Sequence, residues 1–137
     1  MNFLSPLTLA AQDDDILVLR NSYPWFDNTK GYEKAIQVQK QTYEPFIIYF
    51  YATWCPYCKK FARNILHSDQ VVKALRPIVK VQVDGDTQRG LMRKFGVPGY
   101  PCFLVVPKSG EPQQISTNVS ISEFLSECKQ AGLKIKG

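Results

Sequence analysis

Residues 46–52 form a continuous apolar and aromatic run, "FIIYFYA", with no polar alternation. A run of that length rich in β-branched and aromatic residues predicts a central β-strand with both faces covered. A helix is expected to begin at Pro56, since proline is tolerated at a first helical position, and to run to about Leu66. A further turn or two is expected over 70–75, ending before Pro77. Upstream, Tyr32, Ala35, Ile36 and Gln39 recur at helical spacing within 31–41, behind a short strand candidate at 16–19. Downstream, 78–83 reads as a strand and 87–95 as a helix closed by Gly96. Residues 103–106 and 113–116, joined by "PKSGEP", read as a hairpin. In the last helix Ser120 and Glu123 form a capping box, while Ile121, Phe124, Leu125 and Cys128 line one face. The order β, α, β, α, β, β, α predicts an α/β fold with a central mixed β-sheet flanked by helices on both faces.

A length of 137 residues suits one domain, expected over 16–137, behind an N-terminal arm at 1–15 that ends in Asp13, Asp14 and Asp15. The opening "MNFLSPLTLAAQ" has small residues at Ala10 and Ala11, as a cleavage site would, but no positive n-region and a broken apolar stretch. It reads as an export-signal remnant or a flexible arm, which leaves the compartment open. The 45% apolar and 21% charged content is that of a soluble globular protein, and no apolar run approaches the roughly 20 residues of a membrane helix. The net charge of +5 is scattered: Lys59, Lys60 and Arg63 lie beside two cysteines, Lys134 and Lys136 in the tail. That argues against a nucleic-acid face and for proteins or small thiols as partners. No separate dimerisation segment is visible, so a monomer is expected.

The candidate chemistry lies at Cys55-Pro56-Tyr57-Cys58, at the carboxyl end of the central strand, where α/β proteins tend to place their sites. A reactive thiol must be exposed and ionised, and Cys55, placed just before a helix, is expected to meet both demands. The first-turn N–H groups and helix dipole favour its negative charge, with Lys59 and Lys60 adding positive potential. Cys58, inside the first turn, is expected to be less exposed but within reach. In the inferred cycle Cys55 forms a mixed disulfide and Cys58 resolves it by closing the internal bond. Pro56 stiffens the turn, and Tyr57 is an aromatic placed to contact a substrate. No cofactor beyond the redox-active Cys55–Cys58 pair is called for.

The competing reading is a metal or iron–sulfur module using Cys55, Cys58 and Cys102. A closed zinc site wants four ligands, usually from a second cysteine pair, and none is present. A staple across so short a loop would constrain little of the unfolded chain. Cys128 lies on an apolar helix face, which favours packing; His67 is expected at a solvated helix end; Asn118-Val119-Ser120 matches a glycosylation acceptor that is common by chance. The second signal is "FGVPGYPCFLV", where Tyr100-Pro101 precedes a strand in a context suited to a cis peptide bond.

With "YATWCPYCKKF", a strand ending in Asp84 and then "FGVPGYP", the chain resembles the thioredoxin superfamily over roughly 31–131. Through "SDQVVKAL" and "FGVPGYPCFLVVPKSGE" it also resembles the C-terminal thioredoxin-like domain of the bacterial thiol:disulfide interchange proteins. The resemblance implies a thioredoxin fold and thiol:disulfide exchange with protein substrates and a redox partner protein. Cys55 would attack, Cys58 resolve and Trp54 flank them. Pro101 would be a cis proline facing the pair, with Tyr100 offering backbone groups to an extended substrate. Lys80 falls where the family often has a lysine on the neighbouring strand. The narrower likeness implies a periplasmic or other extracytoplasmic bacterial setting, with the cytoplasm as the alternative.

Two positions depart from the pattern. Six residues before the first cysteine the family usually carries a buried aspartate, and here stands Tyr49. With a reference pKa of about 10, a tyrosine cannot accept a proton at neutral pH. Deprotonation of Cys58 would then rely on water, Lys80 or another group. Cys102, directly after Pro101, is expected either to pack in the core as a small apolar residue or to lie near Cys55 as a third thiol.

Overall fold

The computed structural model describes residues 22–136. The strand candidate at 16–19 and the arm at 1–15 lie outside the described residues. Five strands make one mixed sheet: β1 (Trp25–Asp27), β2 (Phe46–Tyr51), β3 (Lys80–Asp84), β4 (Cys102–Val106) and β5 (Gln113–Ile115), in the order β1-β3-β2-β4-β5. β3 runs parallel to β1 and β2, while β4 is antiparallel to both β2 and β5. The helices are α1 (Asn28–Thr42), α2 (Pro56–Phe61), α3 (Asp69–Leu75), α4 (Arg89–Phe95) and α5 (Ile121–Gln130).

The two-residue period of the strands builds two cores. Ile47, Tyr49, Phe103 and Val105 face α2, α3 and α5, meeting Phe61, Leu75, Phe124 and Leu125. Phe46, Ile48, Phe50, Cys102 and Leu104 face the other way, onto Ala35 and Val38 of α1 and Leu91 of α4. This is why β2 reads as an unbroken apolar run: both its faces are covered. Gly31 lets α1 sit against β1, since a Cβ there would come within 2.8 Å of the Phe26 carbonyl carbon.

Two features differ from the sequence reading. β1 was not anticipated, because three residues between Pro24 and Asn28 are too few to show a period. The helix expected over 56–66 is α-helical only to Phe61; Ala62–Leu66 is a π-helical turn in which the His67 N–H donates to the Ala62 carbonyl at 2.8 Å. Ser120 caps α5, accepting the Glu123 N–H at 3.1 Å, while its hydroxyl donates to the Glu123 carboxylate at 3.1 Å.

Candidate active site

β2 ends at Tyr51, and the chain turns through Ala52 so that the Cys55 N–H donates to the Ala52 carbonyl at 3.2 Å. Cys55 is the N-cap of α2, with extended backbone (φ −79°, ψ 112°), and Pro56 occupies the first helical turn. In this geometry the Cys58 N–H donates to Cys55 Sγ at 3.1 Å. A sulfur thus fills the place an Asp or Ser oxygen takes in most N-caps, and a backbone donor is placed to stabilise a negative charge on it.

The expectation of an exposed Cys55 is corrected: it is only 3% exposed. Ala52 and the rings of Tyr51 and Tyr100 close over the two cysteines. The exposed groups are instead their neighbours, Trp54 at 63% and Tyr57 at 72%. Pro56, Lys59, Lys60 and Arg63 are likewise exposed along the first part of the helix.

The Tyr100–Pro101 peptide bond is cis, and Tyr100 packs against the cysteine cluster. Asp86, which sequence reasoning missed, ties this rim together. Trp54 Nε1 donates to Asp86 Oδ2 at 2.7 Å, and the Tyr100 hydroxyl donates to Asp86 Oδ1 at 3.0 Å. The two rings meet edge to face at 6.1 Å. Tyr100 crosses directly above Gly85, where any Cβ would collide with its ring. The sequence signal was the acidic "DGD" at the end of β3, which the parallel pairing Tyr51↔Asp84 carries to the edge where β2 delivers the cysteines.

The structure does not bring Lys80 to Cys58. Its ammonium donates to the carbonyls of Tyr23, Leu75 and Ile78 at the amino end of β3, and lies 6.0 Å from the centre of the Trp25 ring. Burial, and secondarily the charge of Arg76, lower its pKa to about 8. Cys102 pairs in register with Phe50 and faces the α1 and α4 core, not Cys55; burial raises its thiol pKa to about 11. Cys128 is buried on α5 in the opposite core. The three-cysteine ligand set is therefore not assembled, and among the described residues no group of three His, Cys, Asp or Glu has a metal-holding arrangement. His67 is exposed at the end of the π-helical turn, as expected.

Beneath Cys58 lies Tyr49, where the family usually has its acid. Its ring packs edge to face on Phe61 of α2, one turn after Cys58, and burial raises the pKa of its phenol. The Cys58 thiol pKa is raised, first by burial and then by its hydrogen bond with Cys55; the backbone of Ala52 and the Tyr49 hydroxyl act in the opposite direction.

The thioredoxin family model matches residues 25–130. The chain belongs to the thioredoxin family. Among thioredoxin-family relatives, it is 28% identical over 134 residues to a probable protein disulfide-isomerase A6 of Medicago sativa, covering 95% of this chain and 33% of the relative. It is 29% identical over 129 residues to a protein disulfide isomerase-like 2-1 of Oryza sativa, covering 91% and 32%. The chain thus spans about a third of the length of these curated relatives. Among solved structures, a thioredoxin from Thermus thermophilus matches with a TM-score of 0.62 and 28% identity, over 80% of this chain and 86% of that one. The reduced C-terminal domain of Neisseria meningitidis DsbD matches with a TM-score of 0.65 and 25% identity, over 77% and 98%. Among the described residues of this thioredoxin-family chain, no helix is long and apolar enough to cross a membrane.

Proposed function

We propose that this chain is a thiol:disulfide oxidoreductase that exchanges the Cys55–Cys58 disulfide with protein thiols and disulfides. The observation that carries the reading is the Cys55 sulfur at the start of α2, accepting the Cys58 N–H at 3.1 Å in a cluster bordered by Tyr100, whose bond to Pro101 is cis. The Cys55 thiolate attacks a substrate disulfide, forming a mixed disulfide and releasing one substrate thiolate. Cys58 then attacks Cys55 Sγ, so that the internal disulfide forms and the second substrate thiol departs. Two electrons pass from the pair to the substrate, and the reverse sequence oxidises a dithiol. No cofactor beyond the pair is needed.

The exposed Trp54 and Tyr57, with Pro56, Tyr100 and Pro101, form the surface against which an extended substrate segment would lie. Likeness to protein disulfide-isomerases supports protein substrates, and a separate redox partner protein is part of the same proposal. The proposal extends to an extracytoplasmic bacterial setting, with the cytoplasm as the alternative, and to a chain acting as a monomer.

The test is the equilibrium potential of the pair in glutathione and dithiothreitol buffers, with thiols counted by mass after alkylation. A value near about −270 mV would make the protein a reductant, one near about −120 mV an oxidant. Cys58→Ser should trap mixed disulfides on Cys55. A chain without a reversible two-electron transition would refute the proposal.

A further inference from the structure

From Pro45 to Ser68 the chain has no Asp or Glu, so Lys59, Lys60 and Arg63 follow the cysteines without a local counter-ion. All three are exposed. None has a hydrogen-bond or ion-pair partner among the described residues, where the ion pair present joins Lys134 to Glu44, ahead of β2 at the far end of the sheet. Lys59 and Arg63 stand four residues apart on one continuous helical stretch, a spacing at which like charges repel. A local cost kept without a local partner marks a surface that serves something outside the chain.

The π-helical turn draws these charges into line. Its wider turn sets residues four apart more nearly above one another than an α-helix does, so Lys59, Arg63 and His67 share one exposed edge while Phe61, Ile65 and Leu66 stay buried beneath it. At about 1.5 Å of rise per residue, Lys59 and Arg63 stand about 6 and 12 Å along the helix from Cys55. That is close to the screening length of about 10 Å at 0.1 M salt, so a charge held on a substrate beside its reacting cysteine feels them. The opposite rim carries the other sign. Asp86, which accepts from Trp54 and Tyr100, lies there with Asp84 at the end of β3. Trp54, tied to Asp86, and Tyr57, on α2, are both exposed and offer aromatic anchors to a bound chain.

We propose that the exposed edge of α2 is a docking surface for a protein partner that carries a cluster of acidic residues on one side of the cysteine it exchanges. The inference rests on the oxidoreductase reading above and names the kind of partner that site takes. The partner's carboxylates face Lys59, Lys60 and Arg63, while acidic residues on the other side of its cysteine meet Asp86 and are repelled. The rim thus selects the direction in which a substrate segment lies as well as its charge. Two signs across one rim disfavour a nucleic-acid strand, whose backbone is negative along its whole length. Exposed charges of this kind act mainly on the rate of encounter and fade with salt.

The test uses three peptide disulfides, identical but for three Asp, three Lys or three Ser beside one cysteine. The second-order rate constant of each with the reduced chain is divided by that of the Ser peptide, which cancels any effect of the lysines on Cys55 itself. At low salt the Asp peptide should react about ten times faster than the Lys peptide, and the preference should shrink towards none at about 0.5 M NaCl. Lys59→Gln with Arg63→Gln should reduce it to about threefold, and Lys59→Glu with Arg63→Glu should abolish or invert it. Equal rates for the Asp and Lys peptides in wild type, or a preference that survives charge reversal, would overturn the docking surface. A single-stranded oligonucleotide that slows the Ser peptide while the Asp peptide gains nothing would overturn the choice of a protein partner. A wild type that reduces none of the three peptides would instead overturn the oxidoreductase reading, a different failure from one that reduces all three alike.

Discussion

The two cysteines at the rim of the sheet and the two inside it are buried to nearly the same degree. Cys55 and Cys58 are 3% and 4% exposed, Cys102 and Cys128 1% and 0%. Exposure therefore does not separate the thiols proposed to exchange from the packing ones. What separates them is what each sulfur faces. Cys55 Sγ receives the Cys58 N–H, and both cysteines lie in a small cluster with Ala52 at the carboxyl edge of the sheet, bordered by Tyr51 and Tyr100. Cys102 sits among Phe50, Leu104 and their neighbours, and Cys128 in the cluster around Phe124 and Leu125. Burial raises the Cys102 thiol pKa to about 11 and the Cys128 thiol pKa to about 12, the latter with help from the Glu127 charge. A hydrogen-bond donor aimed at the sulfur suits exchange, and an apolar shell suits inertness.

The sharpest way to break this comparison is to remove one thiol from each region. Cys55→Ser should abolish turnover of a protein disulfide. Cys102→Ala should leave turnover within about twofold of wild type and cost about 1 kcal/mol of stability in urea unfolding, the ordinary scale for trimming a core side chain. If Cys102→Ala silences the protein as Cys55→Ser does, the division of roles is wrong.

The next largest effect belongs to the opposite end of the sheet. Lys80→Met keeps the apolar stem but leaves the carbonyls of Tyr23, Leu75 and Ile78 without the ammonium they share. Relief of the buried charge offsets part of that loss, and the net cost expected is about 2–3 kcal/mol. The redox potential should not move, because Lys80 is not in contact with the cysteine pair. A changed potential with unchanged stability would reverse the assignment.

These contrasts also show what the sequence could disclose. The apolar run of β2, the Gly96 stop after α4 and the Ser120 capping box announced their elements because each signal is local. The Cys55–Cys58 spacing and the Tyr100–Pro101 pair placed the reactive edge for the same reason. β1 was illegible at three residues, and the π-helical turn was hidden because Ala62–Leu66 continues a helical pattern whose hydrogen bonds shift by one residue. Lys80 was located correctly along the chain, but the direction of its amine was decided by three carbonyls from elsewhere. The partners of Tyr49 and Asp86 depend on β2 pairing in register with β3 and on α2 covering its face, information no short stretch contains.

A pH series tests the packing thiols more finely. The Cys102 pKa lies above its unfolded value, so between pH 9 and 11 the unfolded chain loses this proton first and the native chain retains it. The associated stability is complete below pH 9 and lost as pH rises towards 11, with a slope of up to about 1.4 kcal/mol per pH unit. Urea unfolding at pH 9 and pH 10 should show wild type losing about 1 kcal/mol more than Cys102→Ala over the unit. Equal losses in the two chains would mean that Cys102 ionises as freely in the fold as outside it.

The smallest effect concerns the rim itself, where the neighbours of the exchanging thiols are held by one carboxylate. Asp86 accepts from both Trp54 and Tyr100, so Asp86→Ala frees two aromatic side chains that border the substrate surface, while Asp86→Asn turns one acceptor into a donor facing a donor. At about 1 kcal/mol for the lost positioning, kcat/KM towards a protein disulfide should fall about fivefold in the alanine variant and less in the asparagine variant. Reduction of a small disulfide, which needs no extended segment laid against Trp54 and Tyr100, should be nearly unchanged. If both substrates slow equally, Asp86 acts on the sulfurs and not on the surface beside them, and the rim would have to be redrawn to include it among the groups that tune Cys55.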